Sequence, residues 1–155
     1  MAIRKTKGNM KAKAKPFAMM LWAMGQSVPY RSLSCVARCV LMELHMQYNG
    51  TNNGDLSATR TMAKEWGVSS DNTLRKALRD LEAGGWIIQT RTSLFSRHGA
   101  RCALYALSWY AIDECPGKDL EVPATRAPIR TVASLTNSIP SCAENAQGTA
   151  QKLRT

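Results

Sequence analysis

Acidic side chains are missing from the first fifteen residues, which hold Arg4, Lys5, Lys7, Lys11, Lys13 and Lys15. Long apolar runs are missing throughout. No stretch approaches the roughly 20 apolar residues that a membrane span needs, so no membrane is expected as a partner. Paired cysteines are missing as well: the chain has five cysteines, an odd number, and none in CxxC spacing. Cys35 and Cys39 stand one helical turn apart, but Cys102, Cys115, His45 and His98 are scattered, so packing is preferred to zinc and no metal is expected. Cys115 and Cys142 are read as exposed and oxidisable, without a partner. Residues 17–24 are apolar, yet this run is short for a secretory signal and lacks a clear cleavage site. A reduced, cytoplasmic protein is the expectation.

Catalytic patterns are equally sparse. There is no phosphate-binding glycine loop. Asp113 and Glu114 are adjacent, a poor spacing for two carboxylates sharing one substrate on a regular element. The two histidines, His45 and His98, have no base or nucleophile beside them in the pattern. His45 reads as a solvated side chain beside Glu43. The chain is not read as an enzyme, and no cofactor is expected.

Positive charge is abundant. Lys and Arg number 21 against 11 Asp and Glu, a formal charge of +10. That excess calls for an anionic partner: nucleic acid first, acidic lipid or protein as rivals. The 155 residues bound one ordinary domain with tails. Residues 1–15 read as a disordered basic arm and 16–115 as the folded domain. Residues 116–155 read as a flexible tail, broken by Pro116, Pro123, Pro128 and Pro140.

Within 16–115 the apolar spacing predicts a sequence of elements. Phe17, Met20, Leu21 and Met24 fall at helical intervals, with Gly25 and Pro29 ending that helix. Ser34 caps a helix to about Tyr48. Leu33, Val36, Ala37, Val40, Leu41, Leu44 and Tyr48 form its core face. Cys35, Cys39, Met42 and Met46 form a second apolar stripe, to be covered by the 17–24 helix or by a second subunit. "NGTNNGD" turns the chain. Ser57 caps a short helix through about Glu65, with Met62 and Ala63 inward and Arg60 and Lys64 outward. Gly67 suits a tight turn and Val68 plugs it. Ser69 or Ser70 caps a helix over 71–83. Leu74, Ala77, Leu78 and Leu81 face inward, and Asn72, Lys76 and Arg79 cluster opposite, flanked by Ser69 and Thr73. Two glycines end it. "WIIQTRT" and "RCALYALSW" read as strands around a loop, "SLFSRHGA", with a basic tip of Arg97, His98 and Arg101. Trp66, Trp86 and Trp109 are assigned to packing.

The expected fold is therefore mainly α with a small β-hairpin, an α+β winged helix-turn-helix. Its chemistry follows from duplex geometry, because the major groove, about 12 Å wide, admits one helix braced by the one before it. Arg reads guanine and Asn reads adenine in bidentate fashion. Arg75 and Arg60 lie further round, toward phosphate, and the hairpin tip suits the backbone or minor groove. Asp71, Asp80 and Glu82 would repel phosphate if they faced it.

"YRSLSCVARCVLMEL", "YNGTNNGDLS", "LRKALRDLEAGGWI" and "ALYALSWYAIDEC" together resemble a group of small winged-helix proteins of prophages and other bacterial mobile elements, over roughly residues 17–122. That group is described as helix-turn-helix or replication-protein-like. The core also looks like the N-terminal DNA-binding domains of plasmid and phage replication initiators, although no second folded domain is expected here. The resemblance implies DNA contacts at Ser69, Ser70, Asn72, Thr73, Lys76 and Arg79. The expected function is sequence-specific binding of double-stranded DNA, as a transcriptional regulator or a replication accessory factor. The competing expectation is a protein-interaction module that inhibits a host nucleic-acid-handling or defence complex. Its docking face would be Cys35, Cys39, Met42 and Met46, the same stripe a homodimer would use.

Overall fold

A computed structural model describes residues 18–96 and 99–137. The fold is mixed α+β, with six helices and two small two-stranded antiparallel sheets among the described residues. None of those helices is long and apolar enough to cross a membrane. The arm at 1–15, Phe17, Arg97, His98 and everything beyond 137 lie outside the described residues.

The chain enters through two short helices, α1 (Trp22–Gln26) and α2 (Val28–Ser32). This corrects the single helix expected over 17–24. Ser27 is the cause. Its extended backbone stops α1, its Oγ donates to the Met24 carbonyl at 2.7 Å, and the same oxygen accepts from the Tyr30 amide at 3.3 Å. One serine thus ends one helix and caps the next. Gly25 sits inside α1, and Pro29 lies in the first turn of α2, where no amide hydrogen is needed.

Helix α3 (Cys35–Gln47) starts at Ser34, whose side chain accepts from the Ala37 amide at 3.1 Å. Ala37, Val40, Leu41 and Leu44 are fully buried. His45 is buried with them, contrary to the solvated side chain expected. Its ring lies 5.6 Å from Trp109 and 6.0 Å from Tyr110. Burial lowers its pKa. The unfolded chain then protonates first. As pH falls through the ordinary value of about 6.5, the unfolded state gains a proton that the folded state refuses, and stability drops. The urea midpoint is therefore expected to be lower at pH 5.5 than at pH 7.5, and His45→Gln is expected to remove most of that difference. Equal pH dependence in the two proteins would contradict this account.

Helix α4 (Arg60–Glu65) is capped by Thr59, which accepts from the Met62 amide at 3.3 Å, and not by Ser57. Ser57 is held elsewhere: its amide donates to Gln47 Oε1 at 3.0 Å and its carbonyl accepts from Gln47 Nε2 at 2.9 Å. The turn to α5 (Asp71–Ala83) follows the expected chemistry. Gly67 has φ of +83°, and buried Val68 donates its amide to the Ala63 carbonyl at 2.7 Å. Ser70 caps α5, accepting from the Thr73 amide. Leu74, Ala77, Leu78 and Leu81 are buried on its inward stripe.

After Gly84 and Gly85, Trp86 drops into the core and β1 (Ile87–Arg91) begins. It pairs antiparallel with β4 (Leu104–Leu107), and Leu56 adds an isolated bridge to Tyr105. The segment expected as a loop carries its own hairpin, β2 (Leu94–Ser96) with β3 (Gly99–Arg101). The ribbon is thus two-tiered, with a break in pairing between the tiers.

The flexible tail expected from 116 is corrected for residues 116–137. The Glu121 amide donates to the Thr90 carbonyl at 2.8 Å, the Thr125 amide to Ile112 at 2.9 Å and the Arg130 amide to Ser108 at 3.0 Å. Helix α6 (Val132–Asn137) then packs on α1 and α2 through fully buried Leu135. Backbone hydrogen bonds, side-chain bonds from Lys118 to Asp55 and from Thr92 to Glu121, and the isolated apolar residues Val132 and Leu135 hold this strap, so no apolar stripe announces it. Cys115 also differs from expectation. It is half-buried, its Sγ is 3.6 Å from the Asp113 carbonyl, and burial, with Asp55 and Asp113 nearby, raises its pKa. That disfavours the reactive thiolate.

Candidate nucleic-acid interface

Helix α5 positions the candidate residues. Its apolar stripe is pinned against α3, so the opposite side is left to solvent. Asn72, Thr73, Arg75, Lys76 and Arg79 are all exposed. Ser69 and Ser70 are exposed at the turn before it, though the Ser70 hydroxyl oxygen is committed to the cap. Arg60 and Lys64 are exposed on α4.

The acids on α5 do not simply face outward as free charges. Asp71 pairs with Arg75 at 2.9 Å, and Asp80 pairs with Lys76 at 2.8 Å, both one turn apart. Exposed pairs of this kind are worth about 0–1 kcal/mol, so an incoming phosphate exchanges for the carboxylate at little expense. Arg79 has no ion-pair partner among the described residues. It is the cation on this face that needs no exchange.

The face continues into a cleft of about 520 Å³ between α5 and the sheet. Asn72, Arg75, Arg79 and Glu82 line it from the helix, with Leu78 at the base. Gln89 of β1 and Tyr105 of β4 line the other wall. These two sit opposite each other in the β1–β4 register. The spacing along α5 suggests Asn72 and Arg79 but not Gln89 or Tyr105. The pairing register is the signal that finds them. Burial pushes the Glu82 carboxyl pKa up. Burial, then Glu82 and Cys102, pushes the Tyr105 hydroxyl up to about 12. Tyr105 is therefore a neutral hydrogen-bonding group at physiological pH.

Arg101 lies on β3 and pairs with Asp119 of the strap at 2.7 Å, both ends exposed. Arg91, which sequence reasoning left unassigned, is structural: its guanidinium donates to the Cys102 carbonyl at 3.0 Å and to the Lys118 carbonyl at 2.6 Å. Arg97 and His98 lie outside the described residues. The structure therefore brings Asn72, Arg75 and Arg79 together and sets Thr73 and Lys76 on the adjoining outer surface.

The apolar stripe on α3 is interrupted. Cys35 and Met46 are exposed at its ends, but Cys39 is half-buried with its Sγ 3.7 Å from the Trp66 carbonyl. The end of α4 covers its middle, a role expected of the 17–24 helix or a second subunit. Comparison with models of known families, with characterised proteins and with solved structures returns no match.

Proposed function

We propose that this chain is a sequence-specific double-stranded DNA-binding protein of a mobile element, built as a winged helix-turn-helix and acting as a transcriptional regulator or replication accessory factor. One observation carries the reading. The side of α5 opposite its core stripe, with Asn72, Lys76 and Arg79 at its centre, is uncovered and is braced from behind by α3. A braced helix with mixed donors and acceptors on its free face has the width and chemistry of a major-groove reader. The β2–β3 hairpin is the wing, and the cleft walled by Gln89 and Tyr105 lies where one sugar–phosphate strand would pass beside the helix. The formal charge of +10 supplies the sequence-independent attraction. The mobile-element setting rests on the sequence resemblance alone.

The test is fluorescence anisotropy with random duplex DNA across a salt series, followed by selection of bound sequences from a random pool. The expected slope is about −0.9 per phosphate contact in log K against log salt, for roughly five or more contacts. An enriched motif is expected to follow. No binding at low salt would overturn the reading and leave the basic face to a protein partner.

A further inference from the structure

Residues 16–30 contain neither an acid nor a base, in a chain whose formal charge is +10. Within this stretch Met24, Ser27 and Pro29 are buried, on the side that packs toward α6. Met19, Leu21, Trp22 and Val28 are left in solvent, at 60%, 45%, 81% and 66% exposure. Trp86 and Trp109 are buried and Trp66 is half-buried, so Trp22 is the exception among the four tryptophans. Four large apolar side chains exposed within ten consecutive residues exceed the single scattered leucine of an ordinary surface.

We propose that α1 and α2 form a homodimerisation face, in which Trp22 of each copy packs on the same segment of a second copy. Charge favours a second copy over an anionic partner. A nucleic acid or acidic lipid would be met by a cluster of cations, and this face carries one, Arg31 at the end of α2, whose guanidinium already donates to Gln26 Oε1 of α1; the six cations of residues 4–15 lie upstream of it. Two strongly basic copies meet most readily where charge is sparse, and a two-fold contact requires the patch to match only itself. Area agrees. An exposed tryptophan offers roughly 200 Å², and the four side chains together on the order of 400–500 Å² per copy. That is about half or more of the ~800 Å² each partner gives to a standard interface, so a reversible dimer of micromolar affinity is expected.

Placement agrees as well. The Tyr30 ring in α2 meets Trp86 edge-on at 5.9 Å, just past the C-terminal end of α5. That helix is about 20 Å long at 1.5 Å per residue. A second copy seated on α1–α2 therefore leaves Asn72 and Thr73, at the far end, uncovered.

The inference goes beyond DNA binding and is tested without DNA. Sedimentation velocity of the full chain from 1 to 200 µM is expected to show a monomer–dimer equilibrium. Trp22→Ser and Val28→Glu, both at exposed positions, are expected to weaken it by about tenfold or more with unchanged circular dichroism. A wild-type chain that stays monomeric, or a dimer that neither variant weakens, would overturn the proposal. So would capture on anionic vesicles that Trp22→Ser abolishes while no dimer forms in solution, because the face would then belong to lipid. Duplex binding by a monomeric Trp22→Ser chain would leave the DNA reading intact.

Discussion

Asn53→Ala is expected to remove about 4 kcal/mol of stability or prevent folding outright. The side chain is fully buried and serves four backbone groups. Its Nδ2 donates to the carbonyls of Leu107 at 3.0 Å, Tyr110 at 3.3 Å and Ala111 at 2.8 Å. Its Oδ1 accepts from the Leu107 amide at 2.7 Å. The Asn53 backbone continues the same junction, its amide donating to the Asp113 carboxylate and its carbonyl accepting from the Asp113 amide, both at 2.8 Å. One asparagine thus joins the turn after α3 to the end of β4. A buried polar group that loses its partner costs about 1–3 kcal/mol, and alanine takes this partner from the Leu107 amide and the Tyr110 and Ala111 carbonyls, while the Leu107 carbonyl keeps the Tyr110 amide at 3.4 Å. Even the low end of that range is a large part of a typical 5–15 kcal/mol total. Asn53→Asp separates the contributions. It keeps an acceptor for the Leu107 amide, loses all three donations and puts a second carboxylate near Asp113, so it is expected to be no better than alanine. Urea denaturation is the measurement. A loss below about 1 kcal/mol for Asn53→Ala would refute the assignment, because unpaired groups at these distances could not be so cheap.

The legible and the hidden parts of this fold differ in kind. Helices α3 and α5 are readable because a serine cap, an apolar stripe and a glycine exit all agree along one short segment. The α4–α5 turn is readable because only a positive φ at Gly67 and a buried Val68 satisfy that spacing. Asn53 shows where reading stops. "NGTNNGD" announces turns, and Gly50 and Gly54 do take φ of +103° and +139°. Nothing local says that the second of two adjacent asparagines reaches 54 positions along the chain. Ser27 and Pro29 mislead for a related reason: the residues that stop one helix are also those that start the next. The strap from Pro116 to Asn137 is invisible because its bonds are made by backbone atoms and by scattered side chains such as Lys118, Asp119, Glu121 and Thr125, whose partners lie far away in the sequence. At the candidate interface the helix face is legible, whereas its opposite wall, Gln89 and Tyr105, depends on strand register.

Arg79→Ala is expected to weaken duplex binding more than Lys76→Ala does, although both side chains stand on the same exposed face. Lys76 already gives part of its charge to Asp80 at 2.8 Å, and Arg75 gives part of its own to Asp71 at 2.9 Å. Arg79 gives none among the described residues and opens directly onto the cleft shared with Gln89 and Tyr105. A bidentate arginine–base contact is worth about 1–3 kcal/mol, so Arg79→Ala is expected to cost roughly 5- to 150-fold in affinity and to relax sequence preference at one position. Lys76→Ala should lower affinity evenly across sequences and reduce the salt slope by about 1. The ion pairs add a prediction of opposite sign. Asp80→Asn releases Lys76 and removes an acid from the face, so it is expected to tighten binding several-fold at low salt and to lose that gain as salt rises. The double variant Lys76→Ala with Asp80→Asn should lose most of the gain, since no cation is left to release. Anisotropy titrations of these four proteins on the selected site, at two salt concentrations, decide the matter. If Asp80→Asn leaves affinity unchanged and Arg79→Ala costs less than twofold, α5 is not the surface that meets DNA. The basic charge of the chain would then act through residues 1–15 or the wing alone.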